Sequence, residues 1–73
     1  MQLIDLIKCI PYTQPISVVD AKSESTVFVD VRGRLKIWEM ARYLNRDVLD
    51  VSAYKPLDIP VARIRIVVKS EEE

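Results

Sequence analysis

The chain has no histidine, one glycine (Gly33) and one cysteine (Cys9) among its 73 residues. Without imidazole it lacks the usual acid–base group of neutral pH and the commonest metal ligand. With one glycine there is no flexible loop to wrap a phosphate closely. No phosphate loop, zinc-ligand spacing or dinucleotide fingerprint is present. Cys9 has no second cysteine to pair with, so no internal disulfide braces the fold, and a lone thiol fits a reducing cytoplasm. No apolar run approaches the roughly 20 residues that cross a bilayer. Met1 to Ile10 lacks the basic start and small-residue cleavage site of a signal peptide and reads as part of the fold. These absences lead us to expect no catalysis, no metal, no cofactor, no membrane contact and a cytoplasmic location.

Eleven basic and eleven acidic side chains give a formal net charge of zero. Nothing global draws the chain to nucleic acid or an anionic surface, so such a role needs charge segregated onto one face. Half the residues are apolar, which allows one small core in one domain over residues 1–73, with an acidic tail over 70–73 expected to be disordered. A domain this size buries only about 60% of its unfolded surface, so dimerisation is a natural source of added burial.

The apolar pattern predicts six elements. Leu3, Ile4, Leu6, Ile7 and Ile10 recur at spacings of three and four, an amphipathic helix that Pro11 ends. Pro15 to Asp20 and Thr26 to Arg32 read as strands joined by a polar loop. In the second, Val27, Val29 and Val31 are expected inward and Phe28, Asp30 and Arg32 outward. Gly33 permits a turn into a helix over Leu35–Leu44, with Ile37, Met40, Ala41 and Leu44 as its apolar stripe. Trp38 is expected as a core anchor at the stripe's edge, with a partner contact as the alternative. Arg46 to Tyr54 and Val61 to Lys69 complete the set. In the last strand Ala62, Ile64, Ile66 and Val68 alternate with Val61, Arg63, Arg65, Val67 and Lys69. The order α-β-β-α-β-β predicts an α+β fold: a four-stranded antiparallel sheet with two short helices on one face.

Few side chains suggest chemistry. Cys9 lacks a neighbouring base and is expected as a small buried hydrophobe. The acids, Asp30 and Asp50 included, read as cross-strand ion-pair partners rather than a catalytic pair. The surface is more suggestive. One sheet face is expected to show Phe28, Asp30, Arg32, Asp50, Ser52, Tyr54, Arg63, Arg65 and Lys69, with Val19, Val48 and Val67 as apolar additions. Such a face is a solvated surface, a protein or self-association surface, or a single-strand platform where aromatics stack bases and arginines hold phosphates. The Pro56–Pro60 loop adds Leu57 and Ile59, which either cover the core edge or form a small binding tip.

The stretch Arg42-Tyr43-Leu44-Asn45-Arg46-Asp47-Val48-Leu49-Asp50-Val51-Ser52-Ala53 resembles the "YLDREVxxxSA" segment of very small proteins encoded by phages and prophages of Gram-positive bacteria. Those proteins also begin with a "KLxELL"-like helix, similar to Gln2–Ile7, and continue into a "VxVxD" strand, similar to Ile16–Asp20. The proline-bounded loop and the arginine-bearing last strand depart from that pattern. The family is largely of unknown function, so it supplies no site residues. What the resemblance implies is a phage-type accessory protein in a bacterial cytoplasm, acting stoichiometrically on a host or defence protein or sequestering a signal molecule. The expected function is therefore a non-catalytic interaction module, binding a protein partner or itself. Single-stranded nucleic-acid binding and a nucleotide sponge between protomers are the alternatives.

Overall fold

A computed structural model describes residues 1–55, 57–58 and 60–70. In chain order the elements are α1 (Leu3–Ile7), β1 (Pro15–Asp20), β2 (Thr26–Val31), a 3₁₀ turn (Arg32–Arg34), α2 (Ala41–Leu44), β3 (Val48–Tyr54) and β4 (Arg63–Val68). No helix among the described residues is long and apolar enough to cross a membrane.

The four strands form one sheet in the order β2-β1-β4-β3. The hairpins β1–β2 and β3–β4 are antiparallel, but β1 and β4 run parallel, so the sheet is mixed and the antiparallel expectation is corrected. The cause is the connection between the hairpins. It carries the chain past β1 and β4 to the far edge, where β3 starts, and the second hairpin then folds β4 inward against β1. Parallel pairs favour strands covered on both faces. β1 meets that condition, with Ile16, Ser17, Val18, Val19 and Asp20 all buried.

Both helices contribute to one core on one face. Leu3 and Ile7 of α1 and Leu44 of α2 join Leu35, Met40, Ile16, Val18, Ile66 and Val68. The cross-strand partners Ile16–Ile64 and Val18–Ile66 define that face. At 25 cal/mol per Å² of apolar burial, such fully enclosed Ile, Leu and Val side chains contribute about 1.5–3 kcal/mol each.

Several elements depart from the sequence reading. α1 ends at Ile7, with a last α-helical bond from Lys8 N–H to Ile4 O (3.2 Å), and the next bonds, Cys9 N–H to Leu6 O (3.0 Å) and Ile10 N–H to Ile7 O (3.1 Å), tighten the chain ahead of Pro11. Cys9 is exposed, not buried, because it stands on the polar side of the winding with Asp5, whose backbone oxygen accepts its thiol at 3.5 Å. The second helix shrinks to Ala41–Leu44. Leu35 is extended (φ −73°, ψ 120°), and Lys36–Met40 winds as separate turns. Leu35 and Met40 are buried, but Ile37 and Trp38 stand 53% and 74% exposed. Trp38 is thus no core anchor; the broken helix turns it outward.

In β2 Val27 packs against the core as expected, but from Phe28 onward the facing is reversed. Val18 pairs with Phe28, so Phe28 lies on the helix-covered face, while Val29, opposite Ser17, faces away and is exposed. A bulge between Val18 and Val19 adds Val27 without a partner and shifts the alternation. The larger apolar area of Phe28 favours its burial over that of Val29. In β3 a second bulge leaves Leu49 unpaired and places Val48 opposite Val68 on the core side, not on the open face.

Two polar devices fix the connections. The Asp20 carboxylate accepts the N–H groups of Lys22 (2.9 Å) and Ser23 (3.2 Å), which shapes the β1–β2 turn around Glu24 at φ 58°. Gly33 N–H donates to Tyr12 O at 2.8 Å, and a Cβ at Gly33 would stand 3.0 Å from that oxygen. Only glycine allows this approach without a shift.

Candidate surface site

The sheet face away from the helices is built in register rows. One row runs across all four strands: Val29, Ser17, Arg65 and Ser52. Beside it run Val19, Val67 and Asp50 on one side and Arg63 with Tyr54 on the other. Ser17 and Val19 are only 5% exposed although neither helix lies on this side. Among the described residues, the long side chains beside them on this face are Arg63, Arg65 and Tyr54.

Tyr54 is the polar centre of this face. The Arg63 guanidinium hydrogen-bonds its hydroxyl, Ser17 adds a second bond, and the charges of Arg63 and Arg65 act in the same direction; partial burial opposes them. The net result holds the hydroxyl below its ordinary value of 10.0. Arg63 Nε is enclosed and has no hydrogen-bond partner among the described residues.

The predicted surface set therefore divides. Tyr54, Arg63 and Arg65 come together as expected, with Asp50 and Ser52 beside them. Phe28 does not join them, since it packs on the core side. Arg32 is also elsewhere: its Nε donates to Ile7 O at 3.1 Å and its guanidinium lies 4.9 Å from the centroid of the Tyr12 ring. Lys69 follows β4, half-buried, and its N–H donates to Asp47 O at 2.9 Å. Leu57 is fully exposed and does not fold back over the core. Ile59 lies outside the described residues, as do Pro56 and the tail residues Glu71–Glu73.

No family model, curated protein or solved structure matches this chain. The site must be read from its own geometry.

That geometry adds residues the sequence did not single out. β3 is an edge strand exposed at six of its seven positions. Leu49 (54%), Val51 (48%) and Tyr54 (42%) show their side chains to solvent. Val51 and Ala53 point to the helix side, opposite Ile66 and Ile64, yet the short helices do not reach over them. Among the described residues, only the start of the strand is covered along its edge: Val48 N–H donates to Met1 O at 2.8 Å and Gln2 bridges to Asp47. A signal for this was present in the alternation of Leu49, Val51 and Ala53. It reads as core, because the sequence does not say where a helix stops. A second exposed group is local to the 3₁₀ turn and its flanks, where Lys36 Nζ stands 5.9 Å from the centroid of the Trp38 ring.

Proposed function

We propose that this chain is a non-catalytic interaction module that binds a protein partner through the β3 edge and the open sheet face beside it. The observation that carries this reading is β3 itself, a seven-residue edge strand with six residues exposed and three large apolar side chains among them. Unpaired edges take up extended segments of other chains, with backbone bonds giving affinity and alternate side chains giving selectivity. Val51 and Ala53 offer apolar contact on one side of such a segment. Tyr54, Arg63 and Arg65 offer hydrogen bonds and positive charge on the other. The resemblance to small phage proteins supports the setting: a phage-type accessory protein in a bacterial cytoplasm that binds and inhibits or modulates a host or defence protein.

The test is capture of a bacterial protein by the wild-type chain and by Val51→Lys. Retention by wild type, loss in Val51→Lys and protection of β3 amides when the retained protein is added are the expected results. Retention that Val51→Lys leaves intact, with unprotected β3 amides, would remove this surface from the reading.

The cluster of Tyr54 with Arg63 and Arg65 favours a second reading, binding of single-stranded nucleic acid. It has one stacking aromatic on that face instead of two, since Phe28 is turned away. Salt-sensitive retention of an oligonucleotide, weakened by Arg63→Ala and Arg65→Ala, is its expected signature.

A further inference from the structure

We propose that the segment taken up by the β3 edge is a second copy of the same strand, paired antiparallel about a two-fold axis at Ser52. This rests on the reading of β3 as the working edge and goes beyond it by naming the occupant and the register.

The register follows from what already lies along the edge. Val48 cannot accept a new neighbour, because its N–H is bonded to Met1 O and Gln2 bridges Asp47 next to it. Leu49 is the bulged residue and breaks the regular ladder. The regular free edge is therefore Asp50–Tyr54. A two-fold centred on Asp50 would oppose two carboxylates, which is destabilising. One centred on Val51 would bring the partner's Tyr54 against the occupied edge of Val48. Centred on Ser52, the pairing leaves the Met1–Gln2 contact intact. It sets Ser52 against the partner's Ser52, Val51 against the partner's Ala53, and Asp50 against the partner's Tyr54.

That last pair is complementary. Tyr54 sits beside Arg63, which holds its hydroxyl and has Nε without an acceptor. Asp50 is exposed on the same open face. Across the axis, the Asp50 carboxylate would lie beside the ring of the partner's Tyr54, whose hydroxyl is turned inward to Arg63 of its own chain. The partner's Arg63 stands one strand further, about 10 Å away at two strand spacings, within the combined reach of the two side chains. Symmetry supplies this contact twice. On the helix side, Val51 and the partner's Ala53 cover each other where neither helix does. The product is an eight-stranded sheet with an isologous interface.

Light scattering on the full chain should give twice the 8.4 kDa of one copy at high concentration, falling on dilution. Asp50→Arg should give the mass of one copy with an unchanged far-ultraviolet spectrum, and Asp50→Arg combined with Arg63→Asp should restore the doubled mass. The axis has its own test. In a Cys9→Ser background, Ser52→Cys should form an intermolecular disulfide under mild oxidation, because opposed residues on paired strands lie within disulfide range. Asp50→Cys in the same background should not. A single-copy mass for the wild type at every concentration overturns self-pairing but leaves the partner reading standing if Val51→Lys still abolishes capture. A doubled mass that survives Asp50→Arg without a Ser52→Cys cross-link overturns the register and moves the interface off β3.

Discussion

Asp20 connects more of the molecule than any other acidic side chain described. It is 7% exposed, shapes the β1–β2 turn through Oδ1, and accepts the Tyr43 hydroxyl on Oδ2 at 3.2 Å, which ties that turn to α2. The backbone bond from Ser23 is the main cause of its lowered pKa; the bond from Lys22 and the Tyr43 hydroxyl act with it, and burial opposes them. All of these partners favour the charged carboxylate. The stability they confer is therefore complete above the ordinary value of 3.8 and is lost as pH falls through the lower folded value. Asp20→Ala should lower the melting temperature at neutral pH. The gap from wild type should then close as pH is taken below the folded value, which thermal melts at a series of pH values would show. A gap that stays constant in acid would mean that Asp20 acts through packing and not through its charge.

At the scale of elements, β1 and the β3–β4 hairpin were legible because their apolar residues are unambiguous. Ile16, Val18 and Val19 admit no other reading, and the alternation Ile64, Ile66, Val68 against Arg63, Arg65, Val67 survives in the register. This is why Tyr54, Arg63 and Arg65 could be placed on one face in advance. β2 was not legible: Val27, Phe28, Val29 and Val31 are apolar at both parities, and the bulge that decides between them depends on the partner strand. The second helix failed for a different cause. Its stripe is genuine for Met40 and Leu44, but Gly33 and extended Leu35 leave Lys36–Met40 wound in separate turns, and nothing local says that Trp38 will be left outside. Pairing direction was out of reach, since a strand's periodicity is the same whether its neighbour runs parallel or antiparallel. The sheet order makes its own prediction. β1 and β4 have neighbours on both sides, and β2 and β3 on one. Amide exchange should be slowest in Ile16–Val19 and Ile64–Val68 and faster by the outer edges of β2 and β3. Equal protection across all four strands of the free chain in dilute solution would contradict this order.

At the scale of the whole molecule, the described core is small and much of it rests on a few enclosed side chains. Ile66 is fully buried, sits on an inner strand, and meets Val18 on one side and Val51 on the other. Ile66→Ala should cost about 2–5 kcal/mol, a large part of the total for a domain with so little interior. Urea titration should show a lower midpoint or no folded baseline at all. A loss under about 1 kcal/mol would mean that the core collapses around the gap more readily than close packing allows.

The inner position of β4 has a consequence for how the chain is made. Gln14 at the start of β1 donates its side-chain amide to Ala62 O at 2.8 Å, a contact that spans 48 residues. On the ribosome, then, β1 and β2 emerge early and wait through most of translation with one long apolar edge uncovered. β3 emerges before its one partner strand, with contacts to Met1 and Gln2 at its start and no ladder along the rest. β4 joins the two hairpins into one sheet, so deleting its six residues removes both remaining ladders together. A premature stop just before Arg63 would not yield a shorter version of this sheet; it would yield a hairpin and a separate strand, tied through Met1–Val48, Leu3–Arg46 and Tyr43–Asp20 but with no ladder between them.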